Sequence, residues 1–294
     1  MIGVAMGVPS FDELAARPDD ELDVALGAAV VARDTYDDLD VGALLERLAA
    51  LGNPLAALSA VTPDDPAALR ERVVAVSQLF TSLGFRANTD DYYDPKNSLL
   101  PDVLERKVGI PITLSIVWCA IARRAGLVAC GISFPGHFLV RVDASTAPNA
   151  ANGAPAAPPI IVDPFHDGRI VDDETATALL RRARGEGAAL QEALFAPATS
   201  RAILVRLLTN LEATWAKRGE HARAFVAVDR IVTLVPDSAR MLRERAALAL
   251  RIGATEVARA DLTRVIELEP QAPDIPHIEA RLAKLIAPSK ATLH

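Results

Sequence analysis

The chain has 294 residues, of which 51% are apolar, and a formal net charge of −7. That is enough for one large domain or two ordinary ones with a sizeable core, while no apolar run approaches the roughly 18 to 20 residues of a membrane span and the first ten residues lack the basic start and apolar stretch of a secretion signal. The acidic excess, concentrated in the first hundred residues, repels phosphate backbones, so neither nucleic acid nor a membrane is an expected partner. Two cysteines, Cys119 and Cys130, are too few for a disulfide framework or a zinc cluster and fit a reducing, cytoplasmic setting, each as a small buried apolar residue.

From Phe11 to Leu51 apolar positions recur at helical spacing, as in Leu22, Ala25, Leu26 and Ala29. This predicts helices over about 19–34 and 40–51, the first with an acidic start at Asp19-Asp20-Glu21 that suits the positive end of a helix. A third is expected over about 65–83, after Thr62-Pro63-Asp64-Asp65. Residues 90–98 read as an ordered loop, Leu99 to Lys107 as a short helix and Pro111 to Ala125 as a longer apolar one, with proline in its first turn and Gly126 as its C-terminal cap.

Beyond Gly126 the texture changes to short runs rich in Val, Ile and Phe. Leu127–Ser133, Phe138–Val142 and Ile160–Val162 are predicted strands, with a turn at Pro135-Gly136. Between the second and third, residues 144–159 consist almost wholly of Ala, Pro, Asn, Gly, Ser and Thr. That composition builds no core and reads as a flexible hairpin insertion. Helices resume near Asp172.

The last hundred residues repeat with a period of about 34. Gly219, Ala224, Arg230, Leu234 and Pro236 recur as Gly253, Ala258, Arg264, Leu268 and Pro270, the small-residue, helix-turn-helix pattern of tetratricopeptide units. The pattern predicts helix pairs Ile203–Arg218 with His221–Val235 and Ser238–Ile252 with Thr255–Leu268, and a capping helix Ile278–Ile286. Such repeats usually present a concave face to a peptide or protein; a short copy can also be plain scaffolding.

The chemistry-bearing residues lie between the predicted helix at Pro111 and the strand that ends at Asp163. Gly109-Ile-Pro-Ile-Thr-Leu-Ser115, then Gly136-His137, then Val162-Asp163-Pro164 follow the order and spacing of a papain-like Cys-His-Asp site. There a thiolate is stabilised at a helix N-terminus beside a His that Asp or Asn orients. Pro111 stands where the cysteine belongs, and proline has neither a nucleophilic atom nor an N–H to donate to an oxyanion. Cys119 lies eight positions on, roughly 12 Å along the helix axis. Thr113 and Ser115 are nearer, and a hydroxyl beside His137 is a conceivable nucleophile, although Thr113 also suits a backbone-bonding role. Asp163 either orients His137 or starts a turn. His166, three residues on, would join His137 and Asp163 around a metal only if the loop folded back, and the spacing by itself is a weak signal, so no metal or cofactor is expected. Asp94, Asn97, Ser98, Glu105 and Arg106 form a dense polar set before the central helix. Asn97 and Ser98 are placed to cap the Leu99 helix, one of Glu105 and Arg106 is expected to meet a buried partner, and the set is a candidate for ligand contact.

Asp94-Pro-x-Asn97-Ser98, Val103-Leu-Glu105-Arg106, Gly109-Ile-Pro-Ile-Thr-Leu-Ser115, Phe134-Pro-Gly-His137-Phe-Leu-Val-Arg141 and Asp163-Pro-Phe-His-x-Gly168 together resemble the SirB1 family, a transglutaminase-like core with a C-terminal tetratricopeptide region. The resemblance runs from about Phe11 to Pro270. It implies an α+β, papain/transglutaminase-like first domain (residues 1–195) with N-terminal helices, followed by an all-α repeat region (196–294). It also implies that His137 and Asp163 match the His and Asp of the active relatives' triad, and that Pro111 occupies their cysteine position.

The first functional expectation is therefore a catalytically silent binding or regulatory protein. It would hold a protein or peptide through the repeats or through a cleft containing Asn97, Ser98, Glu105, Arg106, Thr113, His137 and Asp163. The second is an amide-bond enzyme, a peptidase or acyl transferase, that uses a Ser or Thr with His137 and Asp163. The third is a scaffold whose repeats only stabilise an oligomer.

Overall fold

A computed structural model describes residues 7–60, 65–143 and 158–286. The chain divides into two compact units, Met1–Leu207 and Leu208–His294. The expected insertion at 144–159 lies almost wholly outside the described residues.

The first unit opens with α1 (Phe11–Ala15), closed by a capping box between Ser10 and Glu13; α2 (Val24–Ala32), α3 (Val41–Ala50) and α4 (Pro66–Ser82) follow. The single helix expected over 19–34 is broken. Leu22 is extended (φ −88°, ψ 105°), and α2 begins only after Asp23, whose carboxylate accepts the Leu26 N–H at 2.8 Å. The acidic run does meet a helix start, but a remote one. Asp19 accepts the backbone N–H groups of Ser200 at 3.0 Å and Arg201 at 2.8 Å, at the head of a helix that begins at Ser200, where unsatisfied donors and the helix dipole favour a carboxylate.

Next come β1 (Arg86–Ala87), α5 (Leu100–Arg106), β2 (Val108–Gly109) and α6 (Pro111–Arg124). Strands β1 and β2 form a short parallel pair that periodicity did not reveal. Helix α6 is apolar nearly all round because it is buried nearly all round: eleven of its fourteen residues are inaccessible. It packs against α3, α4 and the first two strands of an antiparallel sheet of order β3 (Val128–Ile132), β4 (Leu139–Asp143), β5 (Ile160–Asp163), β6 (Arg169–Ile170). Trp118, Phe80, Phe85, Val140 and Val162 lie at the centre of this core. Helix α7 (Asp173–Arg184) follows, its N-terminus capped by Asp172.

The second unit contains the C-terminal part of α8 (Ser200–Lys217), then α9 (His221–Leu234), α10 (Ala239–Arg251), α11 (Thr255–Leu268) and α12 (Ile275–Ile286). Neighbours in this order from α9 onward pack side by side, and the bounds agree with the 34-residue period to within a turn. The repeated glycines have a backbone reason: Gly219 (φ 76°) and Gly253 (φ 81°) each turn the chain in the left-handed region after a helix end. Arg245 on α10 ties the array together by pairing with Asp229 on α9 at 2.7 Å and with Asp261 on α11 at 2.6 Å. Asp261 is only 2% exposed.

Removing Arg245 leaves the Asp261 charge buried and uncompensated. Arg245→Ala is therefore expected to cost about 3 kcal/mol, whereas Arg251→Ala, an exposed position on the same helix, is expected to cost under about 0.5 kcal/mol. Chemical denaturation of the two variants measures the difference.

Candidate functional site

The antiparallel pairing of Val140 with Val162 brings the start of β4 beside the end of β5, so that His137 and Asp163 meet across 26 positions of sequence. His137 Nε2 lies 2.9 Å from Asp163 Oδ1. The carboxylate is fully buried and the imidazole only 9% exposed. The chain then folds back after β5: Pro164–His166 form a 3₁₀ turn, and Asp167 (φ 58°) and Gly168 (φ 69°) are both left-handed. This reversal sets His166 Nδ1 2.6 Å from Asp163 Oδ2, and Oδ1 also accepts the Phe165 N–H at 3.1 Å. Arg169 stands 3.6 Å from Oδ2. Burial alone would raise the Asp163 carboxyl, but hydrogen bonds and charge from His137 and His166 outweigh it and hold the group below the usual carboxylate range.

The reversal is anchored from beneath. The Trp118 indole N–H donates to Ser77 Oγ at 3.2 Å, and that hydroxyl donates to the Gly168 carbonyl at 2.7 Å. A Cβ on residue 168 would come within 2.6 Å of Ser77 Oγ and 2.8 Å of its Cβ, so glycine is required both for space and for φ. An aromatic wall stands over the pair. Phe165 packs edge-on to His137 at 5.9 Å and Tyr92 edge-on to Phe165 at 6.4 Å, with Tyr92 and Tyr93 both exposed. Arg206 donates to the His137 carbonyl at 2.8 Å. Burial lowers its guanidinium from the ordinary arginine range, against a smaller upward pull from Tyr92.

Pro111 is the first residue of α6 and is buried. Thr113 locks that helix start: its hydroxyl accepts the Ile110 N–H at 3.2 Å and donates to the Asn97 carbonyl at 2.7 Å. Asn97, itself fully buried, accepts from the Asn88 amide at 2.9 Å and donates to the carbonyls of Asp91 at 2.8 Å and Tyr92 at 3.2 Å. Thr113 and Asn97 thus form a buried knot that shapes the loop bearing Tyr92. Neither Asn97 nor Ser98 caps α5, whose N-cap is Leu99 with no side-chain bond; Asn97 is consumed by the loop beneath it. Arg106 pairs with Asp94 at 2.7 Å and Glu105 with Arg47 at 3.1 Å. Both Glu105 and Arg106 are exposed, so the buried partner expected for one of them is not found; their position at the end of a short helix leaves them facing solvent.

Ser115, Cys119 and Cys130 line a different space, a cavity of about 350 Å³ shared with Phe138, Ile203, Asp23 and Arg123, whose lining includes none of Thr113, His137 or Asp163. Ser115 Oγ is buried without a hydrogen-bond partner. Both cysteines are part-exposed rather than wholly buried, because they face this cavity. Burial still pushes the Cys119 thiol up to about 12 and raises that of Cys130. Among the described residues, no hydroxyl or thiol is hydrogen-bonded to the His137 ring. Sequence reasoning did not single out Tyr92, Phe165, Arg169 or Arg206. The adjacent pair Tyr92-Tyr93, in a chain with 4% aromatic residues, was the available signal for the first.

A buried His–Asp pair on a sheet packed against a buried helix, followed by paired helices, defines a transglutaminase-like core joined to tetratricopeptide repeats. Residues 43–209 match the family model described as transglutaminase-like superfamily and residues 211–283 that of the tetratricopeptide repeat. A UPF0162 protein of Xylella fastidiosa is 34% identical over 95% of both chains, and one of Pseudomonas aeruginosa is 31% identical over 79% of this chain and 80% of that one. The human F-box only protein 21 is 27% identical over 60% of this chain but only 27% of its own length. No solved structure matches. The chain belongs to the UPF0162 family, the SirB1-type family that its motifs resemble. Tetratricopeptide repeats generally mediate protein–protein interactions, and the two modules together support a binding or regulatory role.

Asp163→Asn is expected to cost about 2–3 kcal/mol, since an amide cannot accept from both imidazoles and leaves a buried ring N–H unpaired; urea denaturation reads this directly. At pH 8 a thiol with its pKa near 12 is almost wholly protonated. Cys119 is therefore expected to react with iodoacetamide at least about a hundredfold more slowly in the native chain than in the unfolded one, as followed by mass spectrometry.

Proposed function

We propose that this protein is a non-catalytic transglutaminase-like binding or regulatory module that holds a protein or peptide partner in a reducing, cytoplasmic setting. The observation that carries the reading is Pro111 at the head of α6. A helix N-terminus supports acyl chemistry when a thiolate sits on it, and here that position offers no lone pair to attack with and no N–H to steady an oxyanion. The neighbouring hydroxyl, that of Thr113, is tied to Asn97 and Ile110.

The repeat region supplies the second support. Burial, and then the nearby charge of Glu244 on α10, raise the Glu212 carboxyl on α8, while Arg240 opposes them. In this reading Glu212 and Glu244, which feel each other's charge with Arg240 beside them, recruit basic side chains of the partner. The intact His137–Asp163 pair keeps one alternative in play, an amide-bond enzyme with a Ser or Thr nucleophile, and the two readings differ in reactivity.

Thiol-directed and serine-directed activity probes are expected to leave the native chain unlabelled; labelling that vanishes in His137→Ala would establish the enzyme instead. On an array of peptides of varied charge, retention is expected to favour basic sequences and to fall at least about tenfold in the Glu212→Lys/Glu244→Lys variant. Unchanged retention would move the partner off this face.

A further inference from the structure

We propose that His137, Asp163 and His166 form a binding site for a single divalent transition-metal ion of the zinc class. The three donor groups come from three places in the chain: the lead-in to β4, the end of β5 and the folded-back turn after it. His137 Nε2, a carboxylate oxygen of Asp163 and His166 Nδ1 all lie within 4.8 Å of one another. Each imidazole meets its own carboxylate oxygen, His137 Nε2 at 2.9 Å from Oδ1 and His166 Nδ1 at 2.6 Å from Oδ2. Around a tetrahedral ion bound at about 2.0–2.1 Å, donor atoms stand roughly 3.3–3.5 Å apart. The hydrogen-bonded separations would open slightly and the wider one, within 4.8 Å, would close, so small side-chain rotations admit an ion between the three groups.

The donor set selects the kind of ion. Two imidazoles and one carboxylate suit zinc, cobalt, nickel or iron(II), whereas magnesium and calcium want oxygen ligands alone. In the ion-bound form Asp163 is ionised, His137 carries its proton on Nδ1 and His166 carries its proton on Nε2, so both rings bind as neutral ligands. Three protein ligands leave a fourth position for water.

The surroundings favour such a site in two ways and oppose it in one. The backbone is committed to the geometry: the 3₁₀ turn Pro164–His166 presents His166 to Asp163 three residues before it, and the left-handed Asp167 (φ 58°) and Gly168 (φ 69°) that follow are held from the core by Ser77 and Trp118. Asp163 is fully buried, so its charge is stronger than at the surface. The opposing group is Arg169, whose guanidinium lies 3.6 Å from Oδ2 but whose side chain is 46% exposed and able to turn to solvent. The proposal stands independently of the partner-binding reading, since a bound ion is compatible with either a silent or an active cleft.

The test uses the full chain, free of any histidine tag and dialysed against chelator. Zn²⁺ alone is titrated by calorimetry and Co²⁺ alone by visible absorption. One ion per chain is expected, with Zn²⁺ displacing Co²⁺. His166→Ala and His137→Ala are each expected to weaken binding at least about tenfold, while a His221→Ala/His277→Ala control leaves it unchanged. His166 is 45% exposed, so His166→Ala should keep its fold, checked by its melting curve, and it decides the matter if His137→Ala does not fold. No stoichiometric binding, or binding that survives His166→Ala or disappears in the control, would overturn the site and leave the three residues as a hydrogen-bonded trio.

Discussion

A carboxylate with no exposed surface has to be repaid in full by its neighbours, and the first unit is arranged around one such group. Asp163 is inaccessible, and its two oxygens are met by His137, His166 and the Phe165 N–H. An isolated buried charge is too costly to persist. The contacts around it therefore fix the relative placement of β4, β5 and the turn that follows. The left-handed pair at 167–168 and the small side chain of Ser77 beneath it are consequences of that need.

Helix α6 runs through the core with its N-terminus beside the loop from residue 88 to 98, the setting in which a thiolate would be stabilised by the helix dipole. Proline at the first position suits helix initiation just as well as cysteine would, because that residue's N–H has no intrahelical partner. Thr113 and Asn97 then close the helix start with hydrogen bonds. The position is stable as a piece of architecture.

The second unit works by a different logic. Each helix pair buries only part of its apolar face on itself, so stability is shared with the next repeat. Arg245 adds a polar tie across three successive helices by reaching both Asp229 and Asp261. The carboxylates of Glu212 and Glu244, close enough for one to shift the other, sit on the same run of helices.

The bounds of α6, the strands β3 to β5 and the helices of the repeat region are legible in the residues, because periodicity and the Gly and Pro positions report local conformation. The proline at position 111 is read just as directly, since identity at one position needs no fold. What the residues did not disclose depends on contacts across long separations. The break in the first predicted helix exists because Asp19 is drawn to the head of α8 some 180 positions away. Asn97 looked like a cap and is instead the hub of a buried loop. His166 meets Asp163 across the single 3₁₀ turn Pro164–His166, a conformation that residue spacing does not announce. Local pattern decided what each segment is; burial and the closure of distant chain ends decided which side chains share a site.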